Sequence, residues 1–138
     1  MTVRSLSRQE MKIDCEDDVV LVRRRARELA QKRGFDPFAT AAVTTATSEL
    51  TRNVIMHAGH GAAVIEEVED GRRVGLRLTF RDQGPGIPDI NRVMVGGYST
   101  SRSLGLGLSG SRRLVDEFKI ESEIGRGTCI CITKWARF

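Results

Sequence analysis

The chain is poor in aromatic residues, which make up 5% of its 138 residues, so we predict a core built mainly from aliphatic side chains. It has no apolar run long enough to cross a bilayer, and its first residues do not have the pattern of a secretory signal peptide. We therefore expect a cytoplasmic protein that is not held in a membrane. Its three cysteines are an odd number, which argues against a closed framework of disulfides.

Size and hydrophobicity favour one globular unit. A hydrophobic fraction of 40% is enough for a packed core, and the length is typical of a single domain. We predict one domain over residues 1–138, without internal repeats or linkers.

Positive charge is concentrated at residues 23–27, where four of the five residues are arginine, and the net charge of the chain is +4. A solvated helix face is the first interpretation of this cluster, and a docking surface for an acidic protein is the alternative. We do not expect nucleic acid as a partner, because no DNA- or RNA-binding motif accompanies the charge.

Hydrophobic periodicity predicts alternating helices and strands. The predicted elements are a strand near 10–15, a helix from Asp17 or Asp18 to about Arg33, and a helix from Asp36-Pro37 to about His57. They continue with a hairpin of 62–69 and 73–82, a loop over 83–104 with one helical turn near 90–93, a helix from about Gly107 to Asp116, and strands near 117–124 and 127–135.

The second predicted helix carries Glu49 and Asn53 four residues apart, so their side chains project together. They share a face with small apolar residues rather than with charges, so the acid must face a pocket or find a buried partner. An amide oxygen suits Mg²⁺, and a nearby glutamate can deprotonate an attacking hydroxyl. A solvent-facing polar pair is the alternative.

The strand at 73–82 ends in Asp82-Gln83-Gly84-Pro85-Gly86. Its apolar residues share one face, and Asp82 continues the same parity, so its carboxylate points to the buried side. A buried carboxylate can accept a hydrogen bond from the amine of an adenine, and Gly84 and Gly86 allow close approach of a flat base. An ordinary turn at a strand end is the alternative.

Two later segments could complete a nucleotide site. Gly105-Leu106-Gly107-Leu108 directly precedes the predicted third helix, where backbone N–H groups can bind phosphate, and Arg102 is the cation expected to reach that phosphate unless it is a solvated loop residue. Thr128 follows Gly127 at the start of the last strand, where its hydroxyl could bond the base or a bridging water. We read His57 and His60 as ordinary residues at the end of a helix.

Taken in this order, the four motifs resemble the boxes of the GHKL superfamily of ATP-binding domains, which includes gyrase, Hsp90, histidine kinases and MutL. Within it the chain is most similar to the small anti-sigma-factor serine kinases. The stretches 44–50 and 82–90 and the ending Lys134-Trp135 look closest to the switch-protein kinases of the bacterial stressosome.

The resemblance implies a fold and roles for individual residues. The fold would be the Bergerat fold, a two-layer α/β (α+β) sandwich with a mixed, mostly antiparallel sheet and helices on one face. Glu49 would be the general base, Asn53 the Mg²⁺ ligand and Asp82 the adenine anchor. Gly86 and Thr128 would complete the base site, and residues 94–108 would form a lid over the phosphates of ATP.

The resemblance also implies a function. The protein would use Mg-ATP to phosphorylate serine or threonine on STAS-domain scaffold or antagonist proteins, and it would then bind and activate a PP2C-type phosphatase. His57-Ala58, close behind Asn53, is also similar to anti-sigma factors of the same group. An ATP-gated module that sequesters a sigma factor therefore remains the alternative.

Overall fold

The computed structural model describes residues 2–90 and 102–136, apart from the side chains of 102–107. The elements in chain order are β1 (Arg4–Ile13), α1 (Glu16–Lys32), α2 (Pro37–Ala58), β2 (Gly61–Glu69), β3 (Val74–Asp82), α3 (Arg102–Leu114), β4 (Glu117–Glu123) and β5 (Gly127–Trp135). The strands form one sheet in the order β1-β2-β3-β5-β4, and each of these four pairings is antiparallel.

The core lies between one face of the sheet and the helices. Ile65, Leu78 and Ile132 are aligned across β2, β3 and β5, and all three are buried. They belong to one apolar cluster with residues of α1 and α2 such as Val22 and Leu50. The predicted two-layer arrangement, with helices on one face of a mostly antiparallel sheet, is confirmed.

Local signals place α2 as predicted. The Asp36 side chain accepts a hydrogen bond from the backbone N–H of Ala39 at 2.7 Å, and Pro37 occupies the first turn. Gly59 ends the helix with φ +86°. The buried hydroxyls of Thr47 and Thr51 each donate to the carbonyl four residues earlier at 2.7 Å, so this polar helix can lie inside the core.

The start of α1 differs slightly from the prediction. Cys15, rather than Asp17 or Asp18, is the N-cap residue. The Asp18 carboxylate instead reaches back from the first turn and accepts hydrogen bonds from the backbone N–H groups of Asp14 and Cys15. These bonds lower the pKa of Asp18.

Strand β1 begins at Arg4, well before the predicted start near residue 10, and ends at Ile13. It is an edge strand, and its residues 4–10 are exposed. This part of β1 pairs with β2 through its backbone and buries no apolar face, so no alternating pattern marks its start in the sequence.

Helix α3 was predicted to begin near Gly107, but it begins at Arg102 and ends at Leu114. Gly105–Leu108 therefore lies inside the helix and does not form a loop in front of it. Glycine lowers helix propensity by about 1 kcal/mol, which made a loop the natural prediction. Packing compensates for this cost, since Leu108 is fully buried in the core shared with α2.

Within residues 2–90 and 102–136, no helix is both long and apolar enough to span a membrane. Of the helical turn predicted near 90–93, only residue 90 is among the described residues. Of the lid predicted over 94–108, residues 94–101 lie outside them, and residues 102–108 belong to α3.

Candidate nucleotide site

A cavity of about 210 Å³ lies between α2, the end of β3, the turn that follows it, and β5. Its walls are mostly apolar, formed by residues such as Leu50, Phe80 and Ile87. Its polar lining side chains are Asn53, His57, Asp82 and Thr128. An apolar pocket with a few converging polar groups is typical of small-molecule sites, and this volume is below the range for whole drug-sized ligands. It suits one flat ring system.

Asp82 is the carboxylate of this cavity. Strand parity turns it toward the helices, as the sequence predicted, and its Oδ1 accepts a hydrogen bond from the backbone N–H of Gly84 at 2.9 Å. Within the described residues, Oδ2 has no hydrogen-bond donor, so it is free to accept one from a ligand. The predicted site residues Asn53, Asp82, Gly86 and Thr128 thus line a single cavity.

The turn after β3 needs both of its glycines. A Cβ on Gly84 would lie 2.7 Å from the Cβ of Ala58. Gly86 has φ +81°, and a Cβ there would lie 2.5 Å from the carbonyl oxygen of Glu123. Close packing of this turn against α2 and against the β4–β5 connection therefore requires glycine at both positions.

Ser122 on β4, which sequence reasoning missed, joins the turn to β5. Its Oγ accepts a hydrogen bond from the N–H of Ile87 at 2.7 Å, donates to the carbonyl of Gly127 at 3.1 Å and lies 2.9 Å from the Oγ1 of Thr128. Either hydroxyl can be the donor between Ser122 and Thr128. When Ser122 donates to Gly127, Thr128 donates to Ser122 and keeps lone pairs to accept a bond from a ligand.

Two side chains of α2 have unused polar atoms in this cavity. Asn53 is 8% exposed. Its Nδ2 and the Nε2 of His57 are buried without a hydrogen-bond partner in the part of the chain that the structure describes. Buried polar atoms are rarely left unpaired, so both are suited to bond a ligand or water that enters the cavity.

His57 was read from the sequence as an ordinary helix-end residue. Burial lowers the pKa of His57, against a smaller opposite effect of the Asp82 carboxylate, so the imidazole is neutral at pH 7. The signal that could have identified it is the four-residue spacing of Glu49, Asn53 and His57 on one face of α2.

Glu49 lies outside the cavity, one turn before Asn53. Its side chain is 44% exposed, and its Oε1 is 3.5 Å from the Nη1 of Arg52. The Nε of Arg52 also lies 3.4 Å from the Oε1 of Glu16 on α1. The expectation that Glu49 lies away from charges was therefore wrong, because Arg52 is its partner at the surface.

The remaining predicted residues are on α3. Leu108 is buried, but it does not line this cavity. The side chains of Arg102 and of residues 105–107 lie outside the described part of the chain. Contact of these residues with phosphate stays a prediction.

Comparison with known proteins identifies the family. Residues 27–137 match the family described as "Histidine kinase-, DNA gyrase B-, and HSP90-like ATPase". The chain belongs to this family. It is 47% identical over 127 residues to Serine/threonine-protein kinase RsbT of Bacillus subtilis (strain 168), which covers 92% of this chain and 96% of that protein. The predicted GHKL resemblance and the predicted serine/threonine-protein kinase are both confirmed.

More distant relatives of this ATPase-family chain extend the comparison. It is 31% identical over 100 residues to the Anti-sigma F factor of Geobacillus stearothermophilus, covering 67% of this chain and 66% of that protein. The crystal structure of the RsbU and RsbW domains of Rv1364c from Mycobacterium tuberculosis has a TM-score of 0.66 at 21% identity, covering 96% of this chain and 33% of that one. That structure supports the fold, and the relatives together support a kinase with a partner-switching role.

Proposed function

We propose that this chain transfers the γ-phosphate of ATP to serine or threonine on a STAS-domain scaffold or antagonist protein. We further propose that it then binds and activates a PP2C-type phosphatase. The observation that carries the proposal is the convergence of Asn53, Asp82 and Thr128, from three different elements, on one small apolar cavity. The similarity to a serine/threonine-protein kinase over nearly the whole chain supports it.

Asp82 and Thr128 would bind the adenine of ATP. The free Oδ2 of Asp82 would accept a hydrogen bond from the exocyclic amine, while the Thr128 hydroxyl would accept a bond directly or through water. Gly84 and Gly86 would allow the turn to approach the plane of the base. The apolar walls would enclose the ring.

Asn53 is the residue proposed to hold Mg²⁺ together with the phosphates. Its amide oxygen is a hard ligand that suits this ion, and its buried Nδ2, which has no partner within the described residues, would donate a hydrogen bond to a phosphate oxygen. When bound, Mg²⁺ would neutralise charge on the phosphates. The predicted contacts of Arg102 and of residues 105–108 with phosphate belong to the same proposal.

Glu49 is proposed as the general base. Its half-exposed carboxylate is open to a protein substrate, as a residue that accepts the proton of an incoming hydroxyl must be. In the proposed step the hydroxyl oxygen of the substrate bonds to the γ-phosphorus as the bond to ADP breaks, and the hydroxyl proton passes to Glu49. Arg52 would orient the carboxylate.

The test is transfer of labelled γ-phosphate from Mg-ATP to a STAS-domain protein of the same organism, with ATP affinity measured in parallel. We expect Glu49→Ala to lower transfer by about 10²- to 10⁴-fold and to leave ATP affinity nearly unchanged. Glu16→Ala is the matched control, because it removes the other partner of Arg52 and keeps the base. Full transfer by Glu49→Ala would refute Glu49 as the base.

The alternative is an anti-sigma factor, an ATP-gated module that sequesters a sigma factor, and similarity to the Anti-sigma F factor supports it. It predicts that a Glu49→Ala variant still binds its partner when ATP is present. A wild type that binds ATP and a sigma factor but transfers no phosphate to STAS-domain proteins would favour this alternative.

A further inference from the structure

A surface groove with a volume of about 520 Å³ lies between α1 and α2. We call it the basic groove. Arg23, Arg24 and Arg27 line it together with apolar residues that include Val20 and Phe35. It is separate from the nucleotide cavity, which lies on the side of α2 that faces β3 and β5.

The arginines of the basic groove are not neutralised. Other cations of α1 and of its C-cap have partners: Arg25 bonds Gln9 and Glu28, while Lys32 and Arg33 both contact Glu67. Arg23, Arg24 and Arg27 are exposed and have no carboxylate partner within the described residues. The groove therefore presents three positive charges that can pair with an outside group.

The basic groove also offers apolar surface. Val20 is 40% exposed within it. Phe38, which is 88% exposed, directly follows the groove residue Pro37. Apolar surface that is rimmed by polar or charged residues marks sites that bind other proteins.

A series of contacts leads from the α1 side of the basic groove to the proposed base. Val20 is one helical turn from Glu16 on α1, and Glu16 contacts Arg52, which in turn contacts Glu49. A protein seated in the groove would therefore extend to the catalytic end of α2.

We propose that the basic groove is the docking surface for an acidic, amphipathic helix of the protein that this chain phosphorylates, an inference that rests on the proposed function. A helix can lay its apolar face in a groove between two helices, and its carboxylates would pair with the three arginines on the rim. Charge complementarity of this kind raises association rates and selects partners.

A nucleic acid fits the basic groove less well. Single strands bind through a basic track combined with aromatic side chains on which bases stack. Here the three arginines fall within five residues of one helix, and Phe35 is only 7% exposed. The charge is therefore local and borders an apolar floor, as protein docking requires.

The first test compares two triple charge reversals of the full chain. Arg23→Glu, Arg24→Glu and Arg27→Glu change the groove, whereas Arg72→Glu, Arg112→Glu and Lys119→Glu change exposed cations on other surfaces. Each set lowers the net charge from +4 by six units to −2. The probe is a capped 18-residue helical peptide with leucines on one face and glutamates on the others, and a version with lysine for each glutamate is its control.

We expect the acidic peptide to bind the wild type and the control triple variant, and the groove variant to bind it at least tenfold more weakly, while ATP affinity is equal in all three. Equal weakening in both variants would overturn the proposal, because net charge alone would explain it. So would absence of binding to the wild type, or a preference of the groove for a single-stranded oligonucleotide of similar length.

The second test measures phosphate transfer, and it distinguishes a wrong docking surface from a wrong proposed function. The acidic peptide should inhibit transfer to the STAS-domain protein by competition, raising the KM for that protein and leaving the KM for ATP unchanged. Peptide binding at the groove without any transfer by the wild type would refute the proposed substrate and keep the docking surface. If neither the peptide nor the triple substitution in the groove changes the rate of phosphate transfer, the docking surface is refuted while the proposed function stands.

Discussion

Asp82 and Thr128 lie directly opposite each other where β3 and β5 pair, and both line the cavity that faces α2. Their separation is set by the register of the sheet, and Ser122 fixes the Thr128 hydroxyl from the neighbouring strand. Elements of regular structure therefore hold the two groups in place without a ligand. Such preorganisation lowers the entropy that binding must offset.

Asp82→Asn tests the adenine anchor. The asparagine oxygen can still accept the hydrogen bond from Gly84, so the turn should persist. The new NH₂ group would take the place of Oδ2, however, and a donor would then face the donor amine of adenine. Loss of a charge-assisted bond is worth about 1.5–3 kcal/mol, so we expect ATP affinity to fall by roughly 10- to 150-fold. Isothermal titration calorimetry measures this change.

The matched control for Asp82→Asn is Asp17→Asn, which alters an exposed acid at the start of α1. It should bind ATP like the wild type. Unchanged ATP affinity in Asp82→Asn, with the unfolding free energy preserved, would contradict the anchoring role.

Gly86→Ala tests the turn beside the cavity. With φ +81° and a Cβ position 2.5 Å from the carbonyl oxygen of Glu123, alanine would force the turn away from the β4–β5 connection. Backbone strain of this kind costs about 1–3 kcal/mol, so we expect a lower unfolding free energy and weaker ATP binding. Chemical denaturation and nucleotide titration measure the two effects.

Gly110→Ala is the control for Gly86→Ala. Gly110 lies inside α3, and a Cβ there meets no atom within 4 Å, so alanine should stabilise the helix by about 0.5–1 kcal/mol. Destabilisation by both substitutions, or by neither, would show that the conformation of Gly86 is not what matters.

Local sequence patterns were enough to predict the parts of the site that depend on one element. Strand parity gave the direction of Asp82, and helix periodicity placed Asn53 one turn after Glu49. Ser122 and the pairing of Arg52 with Glu16 could not be predicted, because each joins elements that are distant in sequence. The start of α3 was missed for a similar reason, since packing of Leu108 outweighs the low helix propensity of glycine.

His57 should make stability depend on pH near neutrality. Burial holds the pKa of His57 below its ordinary value of 6.5, so below pH 6.5 the unfolded chain takes up a proton that the folded chain excludes. The unfolding free energy should therefore fall as pH drops from 6.5 toward the pKa of the folded state, by at most about 1.4 kcal/mol per pH unit. Urea unfolding at pH 7.5 and 5.5 measures this slope.

His57→Gln should remove this component of the slope, because glutamine does not titrate. His60→Gln, at an exposed position just beyond α2, is the control and should keep it. A slope that is the same in all three proteins would mean that protonation of His57 does not oppose folding.

Glu67 should govern stability in acid. Burial disfavours its charged form, but hydrogen bonds from Ser7, Arg33 and Lys32 prevail and lower the pKa of Glu67 from 4.5 to about 2. Its contribution is thus present above pH 4.5 and is lost as pH falls from 4.5 to about 2. A shift of this size corresponds to about 3 kcal/mol, and the 4% exposure of the carboxylate limits screening by solvent.

Glu67→Gln keeps the shape of the side chain and removes its charge, leaving Lys32 and Arg33 without a counter-ion. We expect the variant to lose about 2–3 kcal/mol of unfolding free energy at pH 7 and to converge with the wild type near pH 2. Denaturant unfolding across this pH range measures the difference, with the exposed Glu10→Gln on β1 as control. A constant difference between wild type and variant at every pH would contradict the prediction, because it would trace the loss to packing rather than to the ionised carboxylate.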